Sequence, residues 1–261
     1  MKTNIDTSAT RSHGESGEHQ YTISVTRDEK TILEAQQLRY RVFNQELKSA
    51  YHAEHGLEMD GVDQYCDHLV VRRADTGEVV GMHRLLPPEG AARAGGLTSE
   101  ALFDLGPHHA LRPSLVELTR VCVHPDHRTG PVIAMLWAGT IRYMTRGRHA
   151  WLSGRMTFPL FDGGAQAEAC RDHVVAGGHI APDRYHVRPH TLWEPAADDR
   201  RPGLPMPPKL RGYLLAGTWV CSEFAYDPQH DEVSLYLLLS LENTDPRRRK
   251  FLLSLGERLT S

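Results

Sequence analysis

Residues 21–27, YTISVTR, alternate apolar and polar positions with the period of a β-strand. The next run, 30–47, spaces Ile32, Ala35, Leu38, Val42 and Phe43 along one face and predicts an amphipathic helix. After a polar loop, CDHLVVRR at 66–73 and EVVGMHRLL at 78–86 predict a hairpin turned by ADTG at 74–77. Pro87-Pro88 and the Gly/Ala-rich stretch 90–96 predict its end and a surface loop. A strand is expected over about 115–124, then a helix from Pro131 to about Arg146, with Pro131 as a start signal at the first helical position. WLSGR at 151–155 reads as a short strand, and Asp162 to Ala176 as a helix. Residues 178–208, rich in Pro, Arg and Asp, read as a long loop or lid. A helix at 209–216 and strands at 218–226 and 233–241 close the pattern.

A hairpin followed by a strand–helix–strand crossover gives a mixed sheet, so the expected class is α+β (mixed α/β). One domain is expected over 21–243, between a polar N-terminal arm at 1–20 that reads as disordered and a basic C-terminal tail at 244–261.

Composition narrows the classes. With 40% hydrophobic and 24% charged residues in 261, the chain is ordinary for a globular protein with a sizeable core. A formal charge of −3 carries no signal for nucleic acid, so any electrostatic signal is local. Cys66, Cys122, Cys170 and Cys221 form no C-x-x-C pair and read as reduced structural thiols, not a disulfide frame or zinc site. The 16 histidines show no ligand pattern, and no metal is expected. No signal peptide is visible, and the most apolar run, LYLLLSL at 235–241, is too short to span a bilayer. A cytoplasmic protein is expected.

Charged residues inside otherwise apolar elements are the informative ones. Arg39, Asp60, Asp63, Arg84, Glu117 and Arg120 make three acids and three arginines. Buried charges are costly unless paired, so these six are expected to partner one another. Two readings stay open, a structural ion-pair network and a reaction centre. Glu117 and Arg120 lie three apart in a strand and point to opposite faces unless a bulge intervenes; a bulge would also free N–H groups for an oxyanion. HRTGPV at 127–132 resembles a phosphate-binding turn, with Arg128 beside a helix N-terminus. Arginines 120, 128, 142, 146, 148 and 155 against the single acid Asp126 indicate either an anionic partner or a solvated helix face. No G-x-S-x-G elbow supports a serine esterase.

Several stretches, in order and spacing, resemble one family. They are LRYRVF at 38–43, DGVDQYCDHLVV at 60–71, GEVVGMHRLL at 77–86, FDL at 103–105 and ELTRVCVHP at 117–125. RTG at 128–130, AMLW at 134–137, PPKLRGY at 207–213 and Gly217 complete the set, which spans about 35 to 240. The chain resembles the GNAT-type N-acyltransferases that use acyl-carrier-protein thioesters, namely the ornithine-lipid enzymes and, more distantly, the acyl-homoserine lactone synthases. The lactone enzymes share Arg39, Phe43, Asp60, Asp63, Arg84, Glu117 and Arg120, while the CDHL, LW and PPKLRGY stretches favour the ornithine-lipid branch. Two positions depart. Val132 stands where the usual GNAT turn has Gly or Ala, against ordinary acetyl-CoA binding, and Thr119 stands where the ornithine-lipid enzymes have Gly.

The resemblance implies a GNAT-like twisted sheet with helices on both faces, and transfer of a long-chain, in some members 3-hydroxylated, acyl group to the α-amine of ornithine. Glu117 would be the general base and Arg120 its partner or a clamp on the acceptor carboxylate. Arg39, Phe43, Asp60, Asp63 and Arg84 would form the substrate site, with the two aspartates binding a second ammonium or bracing the arginines. Val121, Cys122 and Val123, with Arg128, Thr129 and Gly130, would receive the oxyanion and the phosphopantetheine. No resident cofactor is expected; acyl-phosphopantetheine is the donor, and Arg142, Arg146 and Arg148 would face the acyl carrier protein. The basic tail from Arg247 offers peripheral contact with the inner membrane face, or simply packs on the sheet. An acyl-homoserine lactone synthase and a non-catalytic acyl- or carrier-binding module are the alternatives.

Overall fold

The structure is a computed structural model that describes residues 21–49, 51–128, 130–195, 204–206, 208–242, 246–247, 250 and 254. The N-terminal arm, most of the basic tail and Thr129 lie outside the described residues.

In chain order the elements are β1 (Tyr21–Thr26), α1 (Glu29–Arg39), β2 (Ala53–Glu54), β3 (Leu57–Glu58), β4 (Asp67–Arg73), β5 (Val79–Leu86) and α2 (Pro88–Ala94). Then come β6 (Phe103–Asp104), β7 (Leu115–Val123), α3 (Pro131–Gly147), β8 (Trp151–Pro159) and α4 (Ala165–Ala176). The last are β9 (Arg188–Pro189), α5 (Pro208–Leu215), β10 (Trp219–Val220), β11 (Ala225–Asp227) and β12 (Glu232–Ser240). Two compact units divide the chain. The first holds Met1–Ala94, Leu118–His149 and Lys250–Ser261, the second Gly95–Glu117 and Ala150–Arg249.

In the first unit β1 pairs antiparallel with β4 and β4 with β5, and β7 lies beside β5. All eight residues of β5 are buried, as a strand covered on both faces requires. α1 begins at Asp28, whose carboxylate accepts from Thr31 N at 3.0 Å, with Glu29 favourably placed in the first turn. Its inner face packs Leu38 with Val42, Val70, Val79, Met82 and Cys122; each such buried side chain contributes about 1.5–3 kcal/mol. The helix predicted to run to residue 47 keeps α-geometry only to Arg39. Tyr40–Glu46 is a π-helix, closed by Leu47 N to Val42 O at 3.0 Å, and wider turns of this kind often mark functional positions. α3 lies on β1, β4 and β5. It approaches the sheet closely at Gly139, where an added Cβ would stand 2.6 Å from both Ile23 and Leu69.

The second unit is built on β12, which pairs antiparallel with β8 over nine residues and with β10 and β11. α4 and α5 cover its face through Cys170, Val174, Leu210 and Leu214, packed on Met156, Val233, Leu235 and Leu237. The strand expected over 218–226 is split into β10 and β11. Ser222 Oγ accepts the N–H of Tyr236 at 2.9 Å, so a side chain takes the ladder position a backbone carbonyl would hold. Within 178–208 the described residues include one helical turn at Asp183–Tyr185 and β9, which pairs with β6.

The Gly/Ala-rich stretch after Pro87 is α2 rather than a loop; Pro88 starts it, and Gly95 and Gly96, at φ +87° and +149°, end it. Among the described residues no helix is long and apolar enough to cross a membrane. All four cysteines are buried.

Candidate active site

Six charged side chains of the first unit form one network. Arg39, from the last turn of α1, donates through Nε to Glu58 and through Nη1 to Asp63 Oδ1 at 2.6 Å. Arg84, from β5, donates through Nη1 to Asp60 Oδ1 at 2.5 Å and Asp63 Oδ1 at 2.9 Å, and through Nε to Thr119 Oγ1 at 2.9 Å. Arg120, from β7, donates through Nε to Glu58 Oε1 at 2.9 Å and through Nη2 to Asp60 Oδ2 at 3.2 Å. Gln36 adds a bond to Asp63 Oδ2 at 2.9 Å. Three acids meet three guanidiniums, so the cluster is formally neutral.

The network grades from closed to open. The side chains of Arg39 and Glu58 are 0% exposed and Arg84 is 1%, whereas Arg120 is 17% and Asp60 27% exposed. Burial alone would raise the Asp63 carboxyl, but the Arg39 and Arg84 guanidiniums outweigh it and hold the group far below the usual carboxylate range. Asp60 is lowered for the same reason, burial being outweighed by Arg84 and then Arg120. Arg120 lies over the Tyr51 ring at 4.5 Å, and Tyr51 meets Phe43 edge-on at 5.6 Å. Phe43 is thus a core residue that backs the aromatic platform under Arg120.

Arg120 has φ +54°, a left-handed conformation rare for a residue with a Cβ. It breaks the strand's alternation at the position where the sequence required an irregularity, and such strain concentrates at functional sites.

Glu117 differs from the expectation. Its carboxylate, in the second unit, accepts from Thr98 N at 2.7 Å, Thr98 Oγ1 at 2.8 Å, Ser99 N at 2.9 Å and Ser99 Oγ at 2.5 Å. The bonds of its carboxylate go to these two residues, whereas those of Arg120 go to Glu58 and Asp60. Glu58 takes the place in the network that was expected of Glu117. The signal for it was present in E-x-D-x-x-D at 58–63, three acids within one turn-rich loop.

At the other end of β7, Cys122 and Val123 are buried and Val121 is half-buried. Gly130 caps α3 with φ +34° and no side-chain cap, so the helix start offers free N–H groups. Arg128 is engaged bidentately by Glu46, at 2.5 and 2.6 Å, and donates to Val123 O at 3.2 Å. Arg142, Arg146 and Arg148 belong to the far end of α3, about 16 Å or more along its axis from Pro131 at 1.5 Å per residue. No group of three or more His, Cys, Asp or Glu able to hold a metal occurs among the described residues.

Residues 38–138 match the Acetyltransferase (GNAT) domain family. The chain is 32% identical over 243 residues to the L-ornithine N(alpha)-acyltransferase of Rhodobacter capsulatus, covering 88% of this chain and 94% of that one. It is 30% identical over 236 residues to the same enzyme of Agrobacterium fabrum, covering 84% and 80%. The chain belongs to the L-ornithine N(alpha)-acyltransferase family. It is therefore an acyltransferase of GNAT fold.

Solved structures extend the fold comparison. A CoA-dependent acyl-homoserine lactone synthase, BjaI, matches with TM-score 0.52 at 16% identity over 87% of this chain and 83% of that one. FeeM, an N-acyl amino acid synthase from uncultured soil microbes, matches with TM-score 0.52 at 10% identity over 92% and 98%. At these identities they establish the fold alone. The fully buried Arg39, Glu58 and Arg84 form the base of the network, and Asp60 with Arg120 is its accessible edge.

Proposed function

We propose that the protein transfers a long-chain acyl group from acyl carrier protein to the α-amine of L-ornithine, giving a lyso-ornithine lipid. The observation that carries this reading is the exposed edge of the network, where one cation, Arg120, and one anion, Asp60, stand over a fixed charged base. Ornithine brings the complementary groups, a carboxylate for the Arg120 fork and a side-chain ammonium for Asp60. Kinship with the ornithine enzymes of Rhodobacter and Agrobacterium supports this acceptor.

The α-ammonium, with a pKa near ~8, must lose a proton before it can attack a thioester. Glu117 is the base in this reading, and the hydroxyls of Thr98 and Ser99, already donating to it, are the groups that pass the proton inward. The amine nitrogen bonds to the thioester carbonyl carbon, and N–H groups of Val121 to Val123 receive the oxyanion. The C–S bond then breaks and the thiolate leaves with a proton. The α3 start and Arg128, released from Glu46, hold the phosphopantetheine phosphate. The carrier protein itself docks near this turn.

The test is mass spectrometry of reactions containing the purified protein, L-ornithine and long-chain acyl carrier protein, with Glu117→Gln alongside. N-acyl-ornithine from the unaltered protein and none from Glu117→Gln is the expected result. An acyl-homoserine lactone formed only with S-adenosylmethionine, and no N-acyl-ornithine, would overturn the reading.

A further inference from the structure

A cavity of about 260 Å³ lies in the first unit between the C-terminal half of α3 and the β1–β4 edge of the sheet, apart from the arginine–carboxylate network. Its wall is apolar, from Ile23, Val25 and Leu69 on the strands and Ala138 and Gly139 on the helix. The space is just under the ~300–1,000 Å³ usual for drug-sized ligands, so it suits an aliphatic segment. α3 touches the sheet at Gly139, which is one of the residues lining the space.

Two cations also line it, Arg142 and Arg146, one helical turn apart. Among the described residues neither has a carboxylate partner, and Arg142 Nε is buried without a hydrogen bond. Two carboxylates also line the cavity, but they do not neutralise this pair. Asp67 is held by Arg27 Nε at 2.6 Å and by the Tyr143 hydroxyl at 2.6 Å, and Glu89 acts on the His149 and Tyr143 side instead. Burial lowers the Arg142 pKa, and the like charge of Arg146 lowers it further, with no acid offsetting either. An apolar slot lined in part by two guanidiniums without a carboxylate partner is complementary to an aliphatic anion.

We infer that this cleft binds an aliphatic chain ending in a carboxylate, the chain between α3 and β1–β4 and the head group on Arg142 and Arg146. The site is independent of the acceptor reading above. Its ligand chemistry is shared by a fatty-acid anion and by an N-acyl amino acid. The second source would make it a product site, coupling acyl transfer to the accumulation of its own amphiphile.

Calorimetric titration of the full-length protein with decanoate, N-decanoyl-ornithine and decanol tests this without reference to turnover. The variants are Arg142→Gln/Arg146→Gln, which removes the head-group contact, and Ser24→Phe, which fills the slot from β1. Decanoate is expected to bind, with the double variant weakening it about tenfold or more and decanol binding weaker by a similar factor, as loss of a charge-assisted hydrogen bond predicts. Ser24→Phe is expected to abolish binding while circular dichroism stays unchanged. Tighter binding of N-decanoyl-ornithine than decanoate identifies the product as the source, and the reverse identifies the free acid. Decanoate binding unaffected by either variant, or equal binding of decanol, overturns the inference. So does binding to phosphatidylglycerol vesicles that depends on Arg142 and Arg146 in the absence of any decanoate binding, which would make the patch a membrane contact.

Discussion

Arg39 and Arg84 donate to the same oxygen, Asp63 Oδ1, at 2.6 and 2.9 Å. One carboxylate thereby fixes the spacing of two buried guanidiniums, one from α1 and one from β5. Asp63→Asn keeps the shape and removes the charge, leaving both arginines short of an anion. A loss of about 3–5 kcal/mol is expected, the cost of breaking a buried pair by removing one partner. Urea denaturation measures it, and a loss below ~1 kcal/mol would show that the cluster tolerates the imbalance.

The same residue fixes part of the acid response. Its pKa is lower folded than unfolded, so the unfolded chain takes up the proton first as pH falls. The stability it contributes is complete above about pH 4, the unfolded value, and is lost below it. Melting temperatures between pH 3 and 7 are expected to fall steeply at the acid end, with a shallower fall in Asp63→Asn.

His83 acts at milder pH. It is fully buried, and Thr140 Oγ1, which gives its own proton to Leu136 O, accepts from His83 Nε2 at 2.9 Å. Burial drives its pKa down to about 3 from an unfolded value near ~6.5. The neutral ring's contribution is whole above about pH 6.5 and is lost progressively between there and pH 3. His83→Gln keeps a donor for Thr140 without the titration. Its melting temperature is expected to stay flatter than the parent's from pH 6.5 to 4.5, and parallel curves would sink the assignment.

Thr119→Val removes the hydroxyl that accepts from Arg84 Nε at 2.9 Å. Arg84 is 1% exposed, so water does not readily replace the lost acceptor, and about 1–3 kcal/mol is expected to go. Thr119→Ser restores the bond and most of the stability. If both variants unfold at the same denaturant concentration, the hydroxyl is not what matters.

Arg120→Lys keeps a charge but not the planar fork that reaches Glu58 and Asp60 together. In ornithine acylation the KM for the acceptor is expected to rise roughly 10–100-fold, with the KM for the acyl donor unchanged. Equal increases in both would place Arg120 outside acceptor binding.

The sequence made the network's arginines visible because a guanidinium in an apolar strand or helix face stands out, as at Arg39, Arg84 and Arg120. It could not assign their partners. Glu58 sits in a polar loop where an acid is unremarkable, while Glu117 sits in a strand where it looks like a partner; the bonds each makes depend on residues distant in sequence, which no local pattern shows. Thr98 and Ser99, which hold Glu117, are ordinary turn residues with no pattern of their own. The same limit hid the π-helix after Arg39, because apolar spacing at Leu38, Val42 and Phe43 reads alike in both helix types. It hid the split between β10 and β11 too, since a serine competing for a ladder N–H leaves no trace in hydrophobic alternation.

Because Glu58, Asp60 and Asp63 balance Arg39, Arg84 and Arg120 with nothing left over, these six positions are expected to behave as a single inherited character. A drift at one is expected to need a compensating change at another. Across related chains they are expected to vary as a group or stay fixed as a group, whatever happens to the loops around them.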